Sequence, residues 1–495
     1  MGITRLRRKA RHKKRGLTPD IRHQTPQKSR SEVAMYSSWS VVFSLLGSLC
    51  LSTVLAVRYD PNWASLDSRP LPAWYDDSKI GIFLHWGVFS VPSYLDEWFW
   101  WQWQGSKNTR AVDFMTKNYK PDFTYGDFAA DFTAEFYDPS RWANIFKASG
   151  AKYVVLTSKH HEGFTNWPSK YSWNWNAMDV GPNRDLVGEL ANAIRSKTDI
   201  HFGVYHSLFE WFNPLYLQDV KNNYTTQDFV ATKTLPELYE LVNTYKPDVV
   251  WSDGDWMVDD TYWNATHFLA WLYNDSPVKD TVVVNDRWGK NIRCHHGGFW
   301  NCDDRFVPGK LVNHKWENSM TLDKYSWGFR RDAQLSDIYS MDEFIALLVR
   351  TISLGGNLLV NVGPTKYGVI SPIYEERLTQ MGRWLEVNGE AIYGTRPWKY
   401  QNDTANSDVW YTSKKDNNGT VVYAIALKWP TGSTLKLGAP SVTPQTRISL
   451  VGYSGSPFSF TSLGSQGVSI TIPPIPFNKI PCQWGWTFKL ENLNQ

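Results

Sequence analysis

The sequence is poor in cysteine, with four in 495 residues. That excludes a small scaffold held together by disulfides. Cys50 lies in an apolar stretch near the amino terminus, which leaves Cys294, Cys302 and Cys482. Cys294 and Cys302 are candidates to pair across a short loop, with Cys482 left single, and the spacing matches no zinc pattern. The HxH and HExxH spacings of metal hydrolases are also missing. No short internal repeat is visible.

Positive charge is scarce outside one segment. Residues 1–34 hold eleven Lys and Arg against Asp20 and Glu32, a balance of +9, so the overall +4 leaves −5 for the rest. The run RRKARHKKR has the look of a nuclear signal or a nucleic-acid arm. Its sequel argues otherwise: residues 39–56, WSVVFSLLGSLCLSTVLA, are uncharged, largely apolar and end in small residues. This is the pattern of a secretory signal cleaved after Ala56, and Met35 just before it is an alternative start that would leave the basic head untranslated. Retention as a signal anchor is the other reading, because a stretch of this length nearly spans a bilayer. Cleavage leaves no membrane span and no nucleic-acid partner is expected. Myristoylation is excluded by Leu6, which stands where Ser or Thr is required. The expected layout is a basic head (1–34), a signal (35–56), a first domain (57–397) and a second (398–495).

What is plentiful is aromatic: 27 Trp, 25 Tyr and 24 Phe. Flat rings suit the C–H faces of sugars, although a large aromatic core uses the same residues. The sequons at Asn223, Asn264, Asn402 and Asn418 fit a secreted or lysosomal glycoprotein, whereas Asn274 is weakened by Pro277.

From Tyr59 onward, short apolar runs at 80–84, 153–156, 202–205, 248–251, 281–284, 327–329 and 357–362 alternate with helical patterns at 139–149, 186–196, 235–245, 341–354 and 373–387. This order predicts an α/β fold with a parallel sheet, a (β/α)8-like barrel, although only about seven strands can be counted. After Pro397 the period changes to two, with runs at 409–413, 421–428, 434–437, 447–450 and 468–472 between turn residues. That predicts an antiparallel β-sandwich, read as support, with sugar binding as a lesser alternative.

Chemistry collects where the barrel strands end. In order these ends carry His85 and Glu97-Trp98, then His160-His161-Glu162, His206 with Glu210-Trp211, Asp253 with Asp255, and Asp286-Arg287. Each has a bland explanation in packing or capping, but five at the same end of successive strands point to a barrel active site. A metal hydrolase would recruit His85, His160, His161 and Asp253. Adjacent residues on a strand face opposite ways, however, so His160 and His161 cannot easily share one ion. Glycoside hydrolysis by two carboxylates without metal or other cofactor accounts for more of the residues.

The stretches WYDDSKIGIFLHWGVFSVPS, EWFWWQW, YVVLTSKHHEGF, DVVWSDGDW, VVVNDRWG, WGFRRD and GGNLLVNVGPTKYGVI together resemble retaining α-L-fucosidases of the animal plasma and lysosomal type. The likeness runs from about Arg58 to the carboxy terminus, including PCQWGW. It implies an exo-acting enzyme that removes terminal α-L-fucose from glycoproteins or glycolipids with retention, and a homo-oligomer. It puts the nucleophile at Asp253 and fucose contacts at His85, Glu97, Trp98, His160, His161, Tyr205, Trp251 and Arg287. The acid/base is expected at Asp286, at the next strand end; the rival is Asp303, where some relatives have the longer Glu. The alternative function is a fucose-binding protein that has lost catalysis.

Overall fold

The computed structural model describes residues 57–416 and 419–494. The basic head, the signal, its cleavage point and Asn418 lie outside the described residues. The chain from Val57 onward forms one compact unit.

Seven parallel strands build the central sheet: β1 (Ile80–Leu84), β2 (Tyr153–Lys159), β3 (His201–Ser207), β4 (Val249–Asp253), β5 (Val283–Val284), β6 (Trp316–Thr321) and β7 (Gly356–Val362). Their order is β5-β4-β3-β2-β1-β7-β6, so the two edges are consecutive in the chain. Residues 299–300 bridge those edges. Phe299 N–H donates to Val284 O at 3.1 Å, Trp300 N–H to Lys315 O at 2.8 Å, and Glu317 N–H to Trp300 O at 2.8 Å. A two-residue segment thus stands in the eighth strand position and closes the curled sheet into a barrel.

Helices cover the outside because every strand has two faces to bury. Ile80, Ile82, Leu84, Val154, Leu156, Phe202 and Val204 pack outward against the helical layer. Phe83, Tyr153, Val155, Tyr205, Val249 and Trp251 alternate with them and fill the interior. This period of two sorts the side chains of a strand buried on both faces. The large interior rings need room. A Cβ at Gly81 would lie 2.4 Å from the Tyr153 ring, so only glycine fits there. Local signals set the helix ends. Asp138 caps Pro139–Ala148, Ser340 and Glu343 form a capping box on Met341–Ser353, and Lys246 in the left-handed region ends Leu235–Tyr245 before Pro247.

One strand expectation fails. Residues 327–329 form a loop, and the sixth strand is Trp316–Thr321. The reason is its content: Glu317, Asn318 and Ser319 are polar yet fully buried, so β6 lacks the apolar run that marks its neighbours. Glu317 points into the barrel, where its carboxyl accepts from Tyr75 and Tyr153 hydroxyls at 2.7 Å each and from Trp251 Nε1 at 3.0 Å.

Beyond Pro397 come β8 (Val409–Asp416), β9 (Gly419–Ala426), β10 (Thr434–Leu437), β11 (Arg447–Leu450), β12 (Phe460–Ser462), β13 (Val468–Thr471) and β14 (Trp486–Glu491). They pair antiparallel in two sheets, β11-β14-β9-β8 and β10-β13-β12. Alternate residues such as Tyr411, Val422, Leu437, Ile448, Ile470 and Phe488 share the core between them. The other face of β9, with Val421, Tyr423 and Ile425, packs into the helical layer of the barrel, so the sandwich is joined to it by apolar contact. The sequence reading missed β12 and β14. Among the described residues no helix is long and apolar enough to cross a membrane.

Candidate active site

The carboxy-terminal ends of the strands open into a cavity of about 450 Å³ lined by Phe83, His85, Glu97, Trp98, His160, Tyr205, Trp251, Asp253, Trp256, Arg287, Arg293, Asp303, Asp304 and Trp327. Seven of the eight expected sugar contacts line it. The eighth, His161, is buried beside Asp253.

Asp253 ends β4, held at the rim by strand pairing of Ser207 with Asp253. Its Oδ2 accepts the Tyr205 hydroxyl at 2.8 Å and its Oδ1 the Arg287 Nη1 at 3.1 Å, while Arg293 Nη2 stands 3.8 Å away. Burial by itself would raise the pKa of this carboxyl. The guanidinium charges of Arg287 and Arg293 and the Tyr205 hydrogen bond outweigh it and hold the group well below the usual carboxylate range. Asp253 is therefore an anion, aimed into the cavity, at any working pH.

Two histidines near it, His85 and His161, are held neutral. His85 is lowered to about 3 by burial and then by His160. The tautomer of His85 follows from its partner: Nδ1 is 2.8 Å from Asn361 Oδ1, and that amide is oriented by its own Nδ2 donating to Trp327 O at 2.7 Å. His85 Nδ1 therefore carries the proton, and Nε2 is left as an acceptor. The same logic fixes His161, whose Nδ1 lies 2.7 Å from Ser207 Oγ while Ser207 donates to Phe209 O at 2.8 Å. Its Nε2 faces Asp253 Oδ2 at 3.7 Å, too far for a hydrogen bond. Burial pushes His161 well below the ordinary imidazole value.

Glu97 is clamped by one oxygen only. Its Oε2 accepts from Trp327 N–H at 2.9 Å, Gly328 N–H at 3.2 Å and Ser326 Oγ at 3.3 Å, which leaves Oε1 for the cavity. Its neighbour Asp96 is raised to about 7, by burial and then by repulsion from Glu97. Trp98 and Trp256 stack at the rim with centroids 5.8 Å apart. Trp251 lies under the Arg287 guanidinium at 4.7 Å. His160 packs on Tyr205, with its Nδ1 at 3.4 Å from Glu162.

The structure does not bring Asp286 to the cavity. Its carboxyl is fully buried, and Oδ2 accepts the backbone N–H groups of Cys294 at 2.8 Å and Cys302 at 3.1 Å. Those two cysteines form a disulfide with Cα atoms 5.0 Å apart. The strand end did not fix where Asp286 would face, because the loop 293–302 folds back over it. Just beyond Cys302, Asp303 and Asp304 both line the cavity. Asp304 Oδ1 accepts Arg287 Nη2 at 2.7 Å. Asp255 is tied up by Arg293 in a two-pronged ion pair. Sequence reasoning missed Arg293, Trp256, Trp327 and Asn361. Of these, Asn361 on β7 obeys the strand-end rule and could have been found by it.

Among the described residues no group of three or more His, Cys, Asp or Glu is arranged to hold a metal ion. Of the sequons, Asn223 is exposed and Asn264 half-buried, whereas both protons of the Asn402 amide are engaged by Ser407 O at 3.0 Å and Val409 O at 2.8 Å.

Comparison with known proteins adds to this geometry. Residues 49–390 match the family described as Alpha-L-fucosidase, and residues 401–491 the Alpha-L-fucosidase C-terminal domain. The chain is 59% identical to an α-L-fucosidase of Branchiostoma floridae over 444 residues, covering 90% of this chain and 98% of that one. It is 57% identical to the human tissue α-L-fucosidase, covering 88% of this chain and 92% of the relative. The human plasma α-L-fucosidase is also 57% identical, with 88% and 93% covered. A crystal structure of a Thermotoga maritima α-fucosidase with fucose superposes with a TM-score of 0.74 at 32% identity, covering 88% of this chain and all of that one.

Proposed function

The chain belongs to the α-L-fucosidase family and is a glycoside hydrolase that removes α-L-fucose, and from that premise we propose how its residues do so. Asp253 is the nucleophile and Asp304 the acid/base of a retaining reaction. In the first step Asp253 attacks the anomeric carbon as the bond to the leaving oxygen breaks, and Asp304 donates its proton to that oxygen. In the second, Asp304 takes a proton from water, whose oxygen displaces Asp253 and restores the α configuration.

One observation carries the choice of pair: Arg287 bonds Asp253 through Nη1 and Asp304 through Nη2. Two carboxylates on one guanidinium suit the ~5–5.5 Å spacing of a retaining pair better than the ~6.5–9.5 Å of an inverting one. Charge supports the division of labour. Arg287 and Arg293 face Asp253, Asp255, Asp303 and Asp304, so the carboxylates outnumber the cations. Asp253 and Asp255 are buried and bonded to guanidinium groups, whereas the Asp304 side chain is 47% exposed at the mouth, in reach of water.

Neutral His85 and His161 offer acceptor nitrogens to sugar hydroxyls, Glu97 offers Oε1, and Trp98, Trp251 and Trp327 offer ring faces to the C–H side and methyl. His160, Tyr205 and Arg287 complete the wall. At about 450 Å³ the cavity lies near the lower end of the ~300–1,000 Å³ usual for small-ligand sites, which suits a single terminal sugar. Every group that a binding-only relative would lose is present. A disulfide and the exposed sequon at Asn223 fit passage through the secretory pathway, with glycans at Asn223 and Asn264 rather than Asn402.

The test is product analysis. An aryl α-L-fucoside should release α-L-fucose first, seen by NMR before mutarotation; initial β-L-fucose would overturn the retaining pair. Asp304→Ala should lose ~10²–10⁴-fold on substrates with poor leaving groups and form α-L-fucosyl azide when azide is added, because azide then displaces Asp253 from the face that water would use. Azide rescue in Asp303→Ala alone would transfer the role.

A further inference from the structure

A carboxylate buried outside the cavity controls a loop that carries groups inside it. The loop 293–302 leaves the cavity wall at Arg293, turns back over the end of β5, and returns at Asp303-Asp304. Its neck is closed twice. Cys294 and Cys302 are joined by the disulfide. Immediately beneath, one oxygen of Asp286 receives both of their backbone N–H groups, at 2.8 and 3.1 Å. Both cysteines sit in the left-handed region, with φ of 60° and 45°, a conformation that non-glycine residues seldom adopt. That turn is what points two N–H groups at one atom. The loop body is seated too: at Gly297 a Cβ would come within 2.6 Å of Asn285 O and 3.0 Å of Asp286 Cα.

From this geometry, and resting on the reading of Asp304 as acid/base, we infer that Asp286 is a positioning residue for proton transfer. A fixed neck ties Arg293 on one side and Asp304 on the other to the end of β5, whose next residue but two, Arg287, already holds Asp253. Asp286, Arg287, Arg293 and Asp304 are thus set by one short strand and one closed loop. Asp286 does not touch the substrate; its carboxylate replaces the partners that two buried N–H groups would otherwise lack. Opening the neck lets Asp304 drift from the leaving oxygen while Asp253 stays on β4. Proton donation suffers and nucleophilic attack does not.

The experiment compares two α-L-fucosides by kcat/KM, which reports the step up to loss of the leaving group. One carries 2,4-dinitrophenol, which departs without a proton, and the other a simple alcohol, which needs one. Asp286→Ala should lose ~10–10²-fold on the alkyl fucoside and less than ~3-fold on the dinitrophenyl one. Asp286→Asn should stay within ~5-fold on both, because an amide oxygen can accept the same two N–H groups. Should Asp286→Ala fail to fold, the double variant Cys294→Ser/Cys302→Ser opens the neck from its other closure and should show the same split. An unchanged ratio of the two substrates in either neck variant overturns the inference. So does equal failure of the Ala and Asn variants with rescue by azide, which would make Asp286 itself the acid/base. An Asp304→Ala enzyme indifferent to leaving group would instead overturn the reading on which this one rests.

Discussion

At the mouth of the barrel and in its interior two buried carboxyls are ringed by donors, yet their chemistry is opposite. Asp253 receives a tyrosine hydroxyl and a guanidinium and is driven far down the pKa scale. Glu317 receives two tyrosine hydroxyls and an indole N–H, with no cation bonded to it, and burial raises its pKa. Trp251 separates them: its ring lines the cavity, and its Nε1 donates to Glu317. The contrast shows that burial and hydrogen bonds alone do not keep a carboxyl ionised here. The guanidinium charges of Arg287 and Arg293, added to the Tyr205 hydrogen bond, outweigh the desolvation at Asp253, and no such pair of cations faces Glu317. The interior carboxyl is a fastener for the rings of the barrel core.

The sharpest break between the two should come from Asp253→Asn. Turnover is expected to fall by ~10⁴-fold or more, because an amide cannot take the place of the carboxylate in the covalent intermediate, while the unfolding temperature stays within a few degrees. Retained turnover would end the assignment. Arg287→Met probes the cause. Removing the cation raises the Asp253 pKa, so the acidic limb of the pH profile of kcat/KM should move to higher pH, with a loss of ~10²–10³-fold at the optimum. A large loss with an unmoved limb would mean that Arg287 acts by shape and not by charge.

How far the sequence discloses this contrast depends on the side chain. The runs that form β1, β4 and β7 are apolar and β-branched, so both strand and outward helix packing could be read from them. Asp253 was legible because strand and carboxylate are contiguous in VVWSDG. Glu317 was not: its strand is polar because it points into a barrel whose tyrosines come from far along the chain, and no local period reveals such partners. The eighth strand position was invisible for a similar reason, since residues 299–300 are extended only by virtue of the two edges they join. The burial of Asp286 away from the cavity was not legible, because a strand end fixes a residue's place and not the path of the loop that later covers it. Asp304 had no strand to advertise it.

Glu317→Gln tests the interior side of the comparison with a smaller effect. The amide oxygen can still accept the two tyrosine hydroxyls, but the NH2 then faces the Trp251 N–H, donor against donor. A destabilisation of ~1–3 kcal/mol in denaturant titration is expected, with activity falling less than ~10-fold through Trp251. A variant as inactive as Asp253→Asn yet fully stable would erase the distinction.

The smallest expected effect lies at the edge of the mouth, where Asp96 has burial without a cation, as Glu317 does. Its pKa is raised to about 7 by burial and then by Glu97. The folded carboxyl therefore keeps its proton over a range in which the unfolded one, near the ordinary value of 3.8, has lost it. The folded state binds more protons there, so this contribution to stability is fully present below about pH 4 and is lost as pH rises toward 7. Asp96→Asn removes the titration and should flatten the decline of the unfolding temperature between pH 4 and 7. Because Asp96 accepts the backbone N–H of Trp98 at 3.0 Å, the same ionisation bears on a residue whose ring lines the cavity. An undiminished slope in the variant would place the titrating group elsewhere and leave Arg287 without its counterexample at the mouth.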